Sequence, residues 1–431
     1  MTPPARSAER TADRPDVTVR RARFAVAVLF FTNGALFANL IPRYPAIKSE
    51  LGLSNAEFGF AVAAFPLGAL IAGLAAGMLI RRFRSSRVAV VSTMLTAVGL
   101  ILAGIAPSWA ALAAGIFLAG AMDSITDVAQ NSHGLRVQRL YKRSILNSFH
   151  AVWSIGAVTG GLLGAAAAQL DVPRGQHLIV SAVTFSLFAL YSYRFLLAGP
   201  EPLEPEAAAP EPSADTPTRS PARWGKWLVL GALVVIAASG AVVEDAGASW
   251  SAIYLSDALS ASALVAGLGF IALQGMQFIG RLLGDGLVDR FGQRAVARTG
   301  GAIVFLGMGT ALAFPSIPGT VVGFGLAGFG VATLIPGAMH AADELPGFRA
   351  GTGLTIVSWL LRLGFLLAPP IIGAIADLSQ LRYGLLLVPL AGLLVVFFAP
   401  VLATRVHRRA ADAADAADAG PAEEPELTTA P

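Results

Sequence analysis

The strongest chemical signal in this sequence is a set of four polar residues inside one apolar stretch. Asp123, Asp127, Gln130 and Asn131 fall within the run 110–135. At about 100° per residue they share a stripe about 100° wide on one helix face. At about 1.5 Å per residue, Asp127 lies about 13 Å along the axis from Arg136 and Asp123 about 20 Å. Both are too deep to anchor a headgroup. A charged carboxylate is costly at such depth, and a low dielectric favours the neutral form. A group so placed can load and release a proton, or recognise a substrate hydroxyl. The alternative is structural pairing with an Arg or Asn of another helix.

Other apolar runs add a few candidates of the same kind. Asn147, His150 and Ser154 sit at i, i+3 and i+7 in the run 144–168, hence on one face. His150 suits a proton relay, a partner for the neighbouring carboxylates, or a neutral structural histidine. Trp153 suits stacking on a sugar ring or plain packing. Glu244 and Asp245, flanked by Gly240 and Gly247, read as a gate or substrate contact, or else as a solvated helix end. Gln274 and Arg281 are i and i+7; Gln274 is expected at the cavity, and Arg281 with Asp285 in a latch near a helix end. Arg362 is the single deep basic residue and needs a carboxylate, an anionic substrate or a water-filled cavity. Together with Asn33 in the first run, the expected substrate- or proton-binding set is Asp123, Asp127, Asn131, His150, Glu244, Asp245, Gln274 and Arg362.

The elements that position these groups follow from composition. Of 431 residues, 55% are hydrophobic and 13% are charged, where a soluble domain carries about 25% charged residues. The 46 glycines suit close helix packing in a bilayer. A hydrocarbon core about 30 Å thick takes about 20 apolar residues per helix. Twelve such runs are present: 24–42, 58–80, 88–106, 110–135, 144–168, 177–197, 227–253, 262–284, 298–315, 319–340, 353–376 and 383–403. The period-2 alternation of barrel strands is absent. The fold class is an all-α polytopic membrane protein.

With twelve spans the two termini share a side. The loops of the opposite side hold only Arg43, Lys48, Arg174 and Arg382, whereas Arg20, Arg21, Arg23, Arg81, Arg82, Arg84, Arg136, Arg139, Lys142 and Arg143 gather on the side of the termini. The positive-inside rule puts both termini in the cytoplasm, which makes this a multi-pass protein of the cytoplasmic (inner) membrane. The expected organisation is a cytoplasmic N-terminal tail (1–23), a six-helix bundle (24–198), a Pro- and Ala-rich flexible linker (199–225), a second six-helix bundle (226–403) and a disordered tail (404–431). A shift of 208 residues places Leu79–Phe83 on Leu287–Phe291 and Gly156 on Gly364, which points to two parallel halves.

Motifs now become readable against those spans. GDGLVDRFGQR (Gly284 to Arg294) resembles the cytoplasmic loop signature of the major facilitator superfamily, with Asp289, Arg290 and Gly292 at the matching positions. The glycine permits a tight turn, and the Asp and Arg can latch helix ends. The first-half copy departs from the pattern, having Arg81 in place of the Asp and Arg84 in place of the Gly. A narrower resemblance covers DVAQNSHG (Asp127 to Gly134), SFHAVWSIGAVTGG (Ser148 to Gly161), ASWSAIYL (Ala248 to Leu255) and GRLLGD (Gly280 to Asp285), which together look like the fucose-permease-like branch. The resemblance implies a secondary transporter working by alternating access, with a central cavity between two pseudo-symmetric six-helix bundles. It also implies that helices 3, 6, 9 and 12 lie outermost, in accord with the absence of ionisable residues from their apolar cores. Arg281, Asp285, Asp289 and Arg290 are the expected gating residues.

The sequence excludes other classes. There is no phosphate-cradling loop, nucleophile elbow or HExxH zinc motif, and there is no Cys. His133, His177, His340 and His407 have no metal-ligand spacing. No catalytic residue, metal or cofactor is expected, and the protein is not read as an enzyme. The partners expected are a small-molecule substrate, protons and the lipid bilayer, with no nucleic acid, for a monomer. The function expected is proton-coupled transport of a small polar solute such as a sugar or polyol; the alternative is a proton-coupled exporter of drugs or metabolites.

Overall fold

The computed structural model describes residues 16–141, 145–199, 225–348 and 351–403. Nearly all of the expected linker 199–225, most of the N-terminal tail, the tail 404–431 and the side chain of Asn147 lie outside these residues. Twelve helices among the described residues are long and apolar enough to cross a membrane, one for each apolar run. They are α1 (Val17–Glu50), α2 (Asn55–Phe83), α3 (Ser85–Gly104), α4 (Trp109–Tyr141), α5 (Ser148–Gln169) and α6 (Arg174–Tyr193) in the first half. The second half holds α7 (Gly225–Ala258), α8 (Ala263–Phe291), α9 (Gln293–Ala313), α10 (Ile317–Asp343), α11 (Thr352–Leu378) and α12 (Leu381–Val401).

Most helices overrun their apolar runs, because a polar helix end keeps its backbone bonded without needing an apolar face. Helix α2 starts at a capping box: the Glu57 N–H donates to Ser54 Oγ at 3.2 Å, and the Ser54 N–H to Glu57 Oε2 at 2.9 Å. Two C-terminal helices are interrupted. Helix α10 breaks between Val331 and Leu334, where Pro336 lacks the N–H that would bond Ala332 and its ring crowds that carbonyl. Helix α11 divides at Leu361, so that Arg362 opens its second segment.

The two halves pack alike. In the first, α1 lies on α5 and α6, α2 on α4, and α3 on α4 and α6; in the second, α7 lies on α11 and α12, α8 on α10, and α9 on α10 and α12. Each pair maps on its counterpart by a step of six helices. The offset of 208 survives in three dimensions to within one residue. Gly156 of α5 lies against the backbone of Phe31 in α1, and Gly364 of α11 lies against the backbone of Ala238 in α7.

The bundles meet through α2 against α11 and α5 against α8, and they meet unevenly along the membrane normal. The face where α1 begins and α12 ends is the terminal face; the opposite one is the far face. One apolar cluster crosses between the bundles in the far half, joining Tyr44 and Phe58 to Trp250 and Phe270. A second cluster, built on Phe30, Ile125 and Phe149, stays within the N-terminal bundle in the terminal half. The bundles are closed on each other at the far face, whereas among the described residues no apolar cluster joins them towards the terminal face, which leaves a central cavity between them on that side.

Candidate functional site

The wall contributed by the N-terminal bundle is a chain of polar side chains on α1, α4 and α5. Trp153 Nε1 donates to Asn33 Oδ1 at 2.7 Å, and Asn33 Nδ2 donates to Asp123 Oδ1 at 2.5 Å. The amide therefore ties three helices together, and it presents its N–H to Asp123. One turn away, Asp127 Oδ1 accepts from Asn131 Nδ2 at 2.9 Å and from Gln130 Nε2 at 3.5 Å. Asp127 is exposed although it stands midway along a membrane-spanning helix. Its carboxylate feels the charges of His150 on α5 and Arg362 on α11, which places it opposite the second bundle.

His150 packs edge-on against Phe30, with ring centroids 5.2 Å apart, and lies within the electrostatic reach of Asp127 and Arg281. Ser154 does not extend that polar face, since its hydroxyl bonds back to the His150 carbonyl at 3.2 Å.

The C-terminal bundle supplies the cations. Arg281 of α8 stands 3.5 Å from Glu244 Oε1 of α7, and Gln277 Nε2 donates to the same oxygen. Arg281, expected in the latch with Asp285, thus has its carboxylate partner on α7. Its long side chain leans inwards to a carboxylate and leaves Asp285 and Arg290 exposed at the terminal end of α8. Asp289 is exposed there too, and the Arg290 guanidinium lies over the Phe291 ring at 5.3 Å. Gln274 is buried on the same stripe of α8 as Gln277 and Arg281, and its Oε1 has no hydrogen-bond partner. Arg362 makes no hydrogen bond or ion pair with any described residue.

Glu244 and Asp245 part company. A rotation of about 100° separates consecutive helical residues, so only Glu244 reaches Arg281. Asp245 is turned into the far-half packing. It accepts from Ser249 Oγ at 3.4 Å, its second oxygen is buried without a partner, and its charge reaches Tyr44. The nearby rings of Tyr44, Phe58 and Trp250 stack edge-on, with centroids 5.2 and 5.5 Å apart.

The far-face seal rests on residues outside the expected set. Asp377, at the end of α11, caps the N-terminus of α2 in the other bundle. Its Oδ1 accepts from the Asn55 N–H at 2.9 Å and from Asn55 Nδ2 at 2.8 Å, and its Oδ2 from the Ala56 N–H at 2.8 Å. A carboxylate at a helix N-terminus satisfies orphan donors and opposes the positive end of the dipole. Glycines bring the backbones close enough. A Cβ on Gly59 would lie 2.9 Å from Pro370 Cα, and one on Gly373 would lie 3.0 Å from Ala56 Cα. Gln169 Oε1 accepts from the Leu264 N–H at 3.2 Å, and Lys48 stands 3.7 Å from Asp257. Gln277 had a local signal, its place one turn from both Gln274 and Arg281. Asp377 had none beyond an acid just past an apolar run.

Comparison with known proteins agrees with this architecture. The family description Major Facilitator Superfamily matches residues 26–244 and 245–428. An uncharacterized transporter of Sinorhizobium fredii, y4wD, is 30% identical over 88% of this chain and 97% of its own length. The membrane protein MosC of Rhizobium meliloti is 30% identical over 87% of this chain and 89% of its own. Among solved structures, the nucleoside transporter NupG superposes with a TM-score of 0.68 at 12% identity, covering 88% of this chain and 99% of that one, a likeness of fold alone.

Proposed function

The chain belongs to the major facilitator superfamily, and on that premise we propose that it is a proton-coupled secondary transporter of a small polar solute, working by alternating access. The observation that carries this reading is Asp127: a carboxylate at mid-membrane depth, exposed, within electrostatic reach of His150 on its own bundle and of Arg362 on the opposite one. Ionised carboxylates are costly at such depth and are kept for work such as proton loading. Asp127 takes the proton, and Asp123, held by Asn33, tunes the site from one turn away. His150 and Arg362 exchange the charge partner of Asp127 as the cavity changes sides.

The arginine-rich loops put the terminal face in the cytoplasm of the cell, so this conformation is open inwards. Asp377 and the glycine contacts hold the outer gate shut, and Asp285, Asp289 and Arg290 lie at the inner one. The likeness of four sequence stretches to the fucose-permease-like branch supports a hydroxylated solute.

The test is Asp127→Asn in reconstituted vesicles, because Asn keeps the shape and hydrogen bonding and removes the titration. Solute binding is expected to persist with a flattened pH dependence, and accumulation driven by an imposed pH gradient is expected to stop. Accumulation at the parental rate would exclude Asp127 as the coupling group, and Asp123 or Glu244 would be next in line.

A further inference from the structure

Five charged side chains line the cavity, and four of them are matched. Asp123 has Asn33, Asp127 has Asn131 and Gln130, and Glu244 and Arg281 have each other, with Gln277 on the same carboxylate oxygen. Arg362 is the exception. It is partly buried at the break in α11, makes no hydrogen bond or ion pair with any described residue, and has only the distant charge of Asp127 opposite it. His150, the remaining titratable group of the cavity, cannot serve as its counter-charge, being neutral or cationic. An unmatched guanidinium at this depth is costly. Its planar fork of five N–H donors fits a carboxylate in bidentate fashion.

A second unpartnered polar group lies in the same bundle. Gln274 is 9% exposed, and its Oε1 is buried without a partner, on the stripe of α8 whose neighbours Gln277 and Arg281 turn to Glu244. A buried amide oxygen left unpaired carries a desolvation cost, which a hydroxyl donor removes. A free cation and a free acceptor in the C-terminal bundle thus ask for one molecule with both an anionic and a hydroxyl group. A neutral sugar would meet Gln274 and leave Arg362 as it is.

We infer that the solute is a small hydroxylated carboxylic acid whose carboxylate binds Arg362 and whose hydroxyl donates to Gln274. This assignment rests on the transporter reading above and narrows its substrate class. In the empty carrier the Asp127 carboxylate is the nearest counter-charge of Arg362, so cargo carboxylate and Asp127 compete for one guanidinium.

The test uses pairs of probes that differ only at the charged group: D-gluconate against D-glucitol, and D-glucuronate against D-glucose. Thermal shift and isothermal titration on the purified full-length protein give the affinities, since a ligand that prefers the folded state raises apparent stability. The carboxylate of at least one pair is expected to bind at least about tenfold tighter than its neutral partner. Arg362→Gln is expected to erase that preference, and Arg362→Lys to keep part of it, having the charge without the fork. Gln274→Leu is expected to weaken the carboxylate probe while leaving its lead over the neutral one. Should Arg362→Gln fail to fold, the Arg362→Lys and Gln274→Leu variants decide. Equal or tighter binding of the neutral partners, carboxylate binding indifferent to both Arg362 variants, or no binding by either acid would overturn the inference. Failure of the transporter reading is visible separately, as a carboxylate that binds through Arg362 but never accumulates in vesicles under a gradient.

Discussion

The far and terminal halves of the same helices are built from opposite materials. In the far half, α2 meets α11 through glycine and proline backbones, the apolar cluster crosses from bundle to bundle, and one carboxylate caps a helix of the other bundle. In the cavity, the acids Asp123 and Asp127 stand on the N-terminal bundle and the cations Arg281 and Arg362 on the C-terminal one, with Arg362 acting on Asp127 at a distance. Contact in the first region depends on shape and in the second on charge. Shape complementarity is lost with one added methyl group, whereas charges acting at a distance tolerate displacement and respond to a proton or an anion.

The contrast breaks most readily at Gly59. Its Cβ would enter the backbone of Pro369 and Pro370, which cannot swing aside as a side chain can. Gly59→Val is expected to prevent far-face closure and to abolish transport while the protein still inserts. The check is electron–electron distance measurement between spin labels on cysteines placed at Leu170 and Ser379. The chain has no native Cys, so both labels are unambiguous. An unchanged distance distribution would remove the steric account of the seal.

A smaller effect is expected at Asp377. Loss of a helix cap costs about 0.5–2 kcal/mol, enough to move a conformational equilibrium by roughly 2- to 30-fold. Asp377→Ala is expected to raise the far-open population in the same label pair, and Asp377→Asn, which keeps one acceptor oxygen, to raise it less. Equal effects from both would mean that charge, and not the cap geometry, holds α2.

Asn33 tests the polar wall instead. Asn33→Leu leaves Asp123 without its donor and Trp153 Nε1 without its acceptor, and each unpaired buried group costs about 1–3 kcal/mol. A lowered melting temperature with an unshifted label distance is expected, since both partners belong to one bundle. The least effect is expected from Lys48→Ala. That ion pair spans 3.7 Å, with the Asp257 side chain 48% exposed, and exposed pairs contribute about 0.2–1 kcal/mol. A shift in label distance as large as that of Asp377→Ala would show that charge matters in the seal as well, and would blur the contrast.

What could be read from residues alone divides along the same line. The twelve spans, the offset of 208 and the Asp123–Asp127 stripe are local or periodic features, and each survives in the structure. The partner of Arg281 was not legible. Arg281 stands one turn from Asp285 and near the loop signature, whereas Glu244 lies on another helix and wins by reach. Glu244 and Asp245 read as one acidic pair because adjacency in sequence hides the rotation between them. Asp377 and Asn55 are 322 positions apart, and no pattern within either segment announces a bond between bundles. Periodicity reports which face of a helix is polar. It carries nothing about which remote backbone that face will meet.

The cap that Asp377 places on α2 has a consequence for traffic. Under the alternating-access mechanism proposed above, each opening of the far side makes the N–H groups of Asn55 and Ala56 trade a carboxylate for water, and the trade is made again on closing. A loaded carrier can offset that cost with the contacts its cargo makes, whereas an empty one cannot. The return of the unloaded protein then becomes the slow leg of the cycle, and swapping one cargo molecule for another across the membrane outpaces net delivery. Solute supplied on the receiving side would accelerate departure of labelled solute from the other. Asp377→Ala, by easing the empty return, would bring the two rates together.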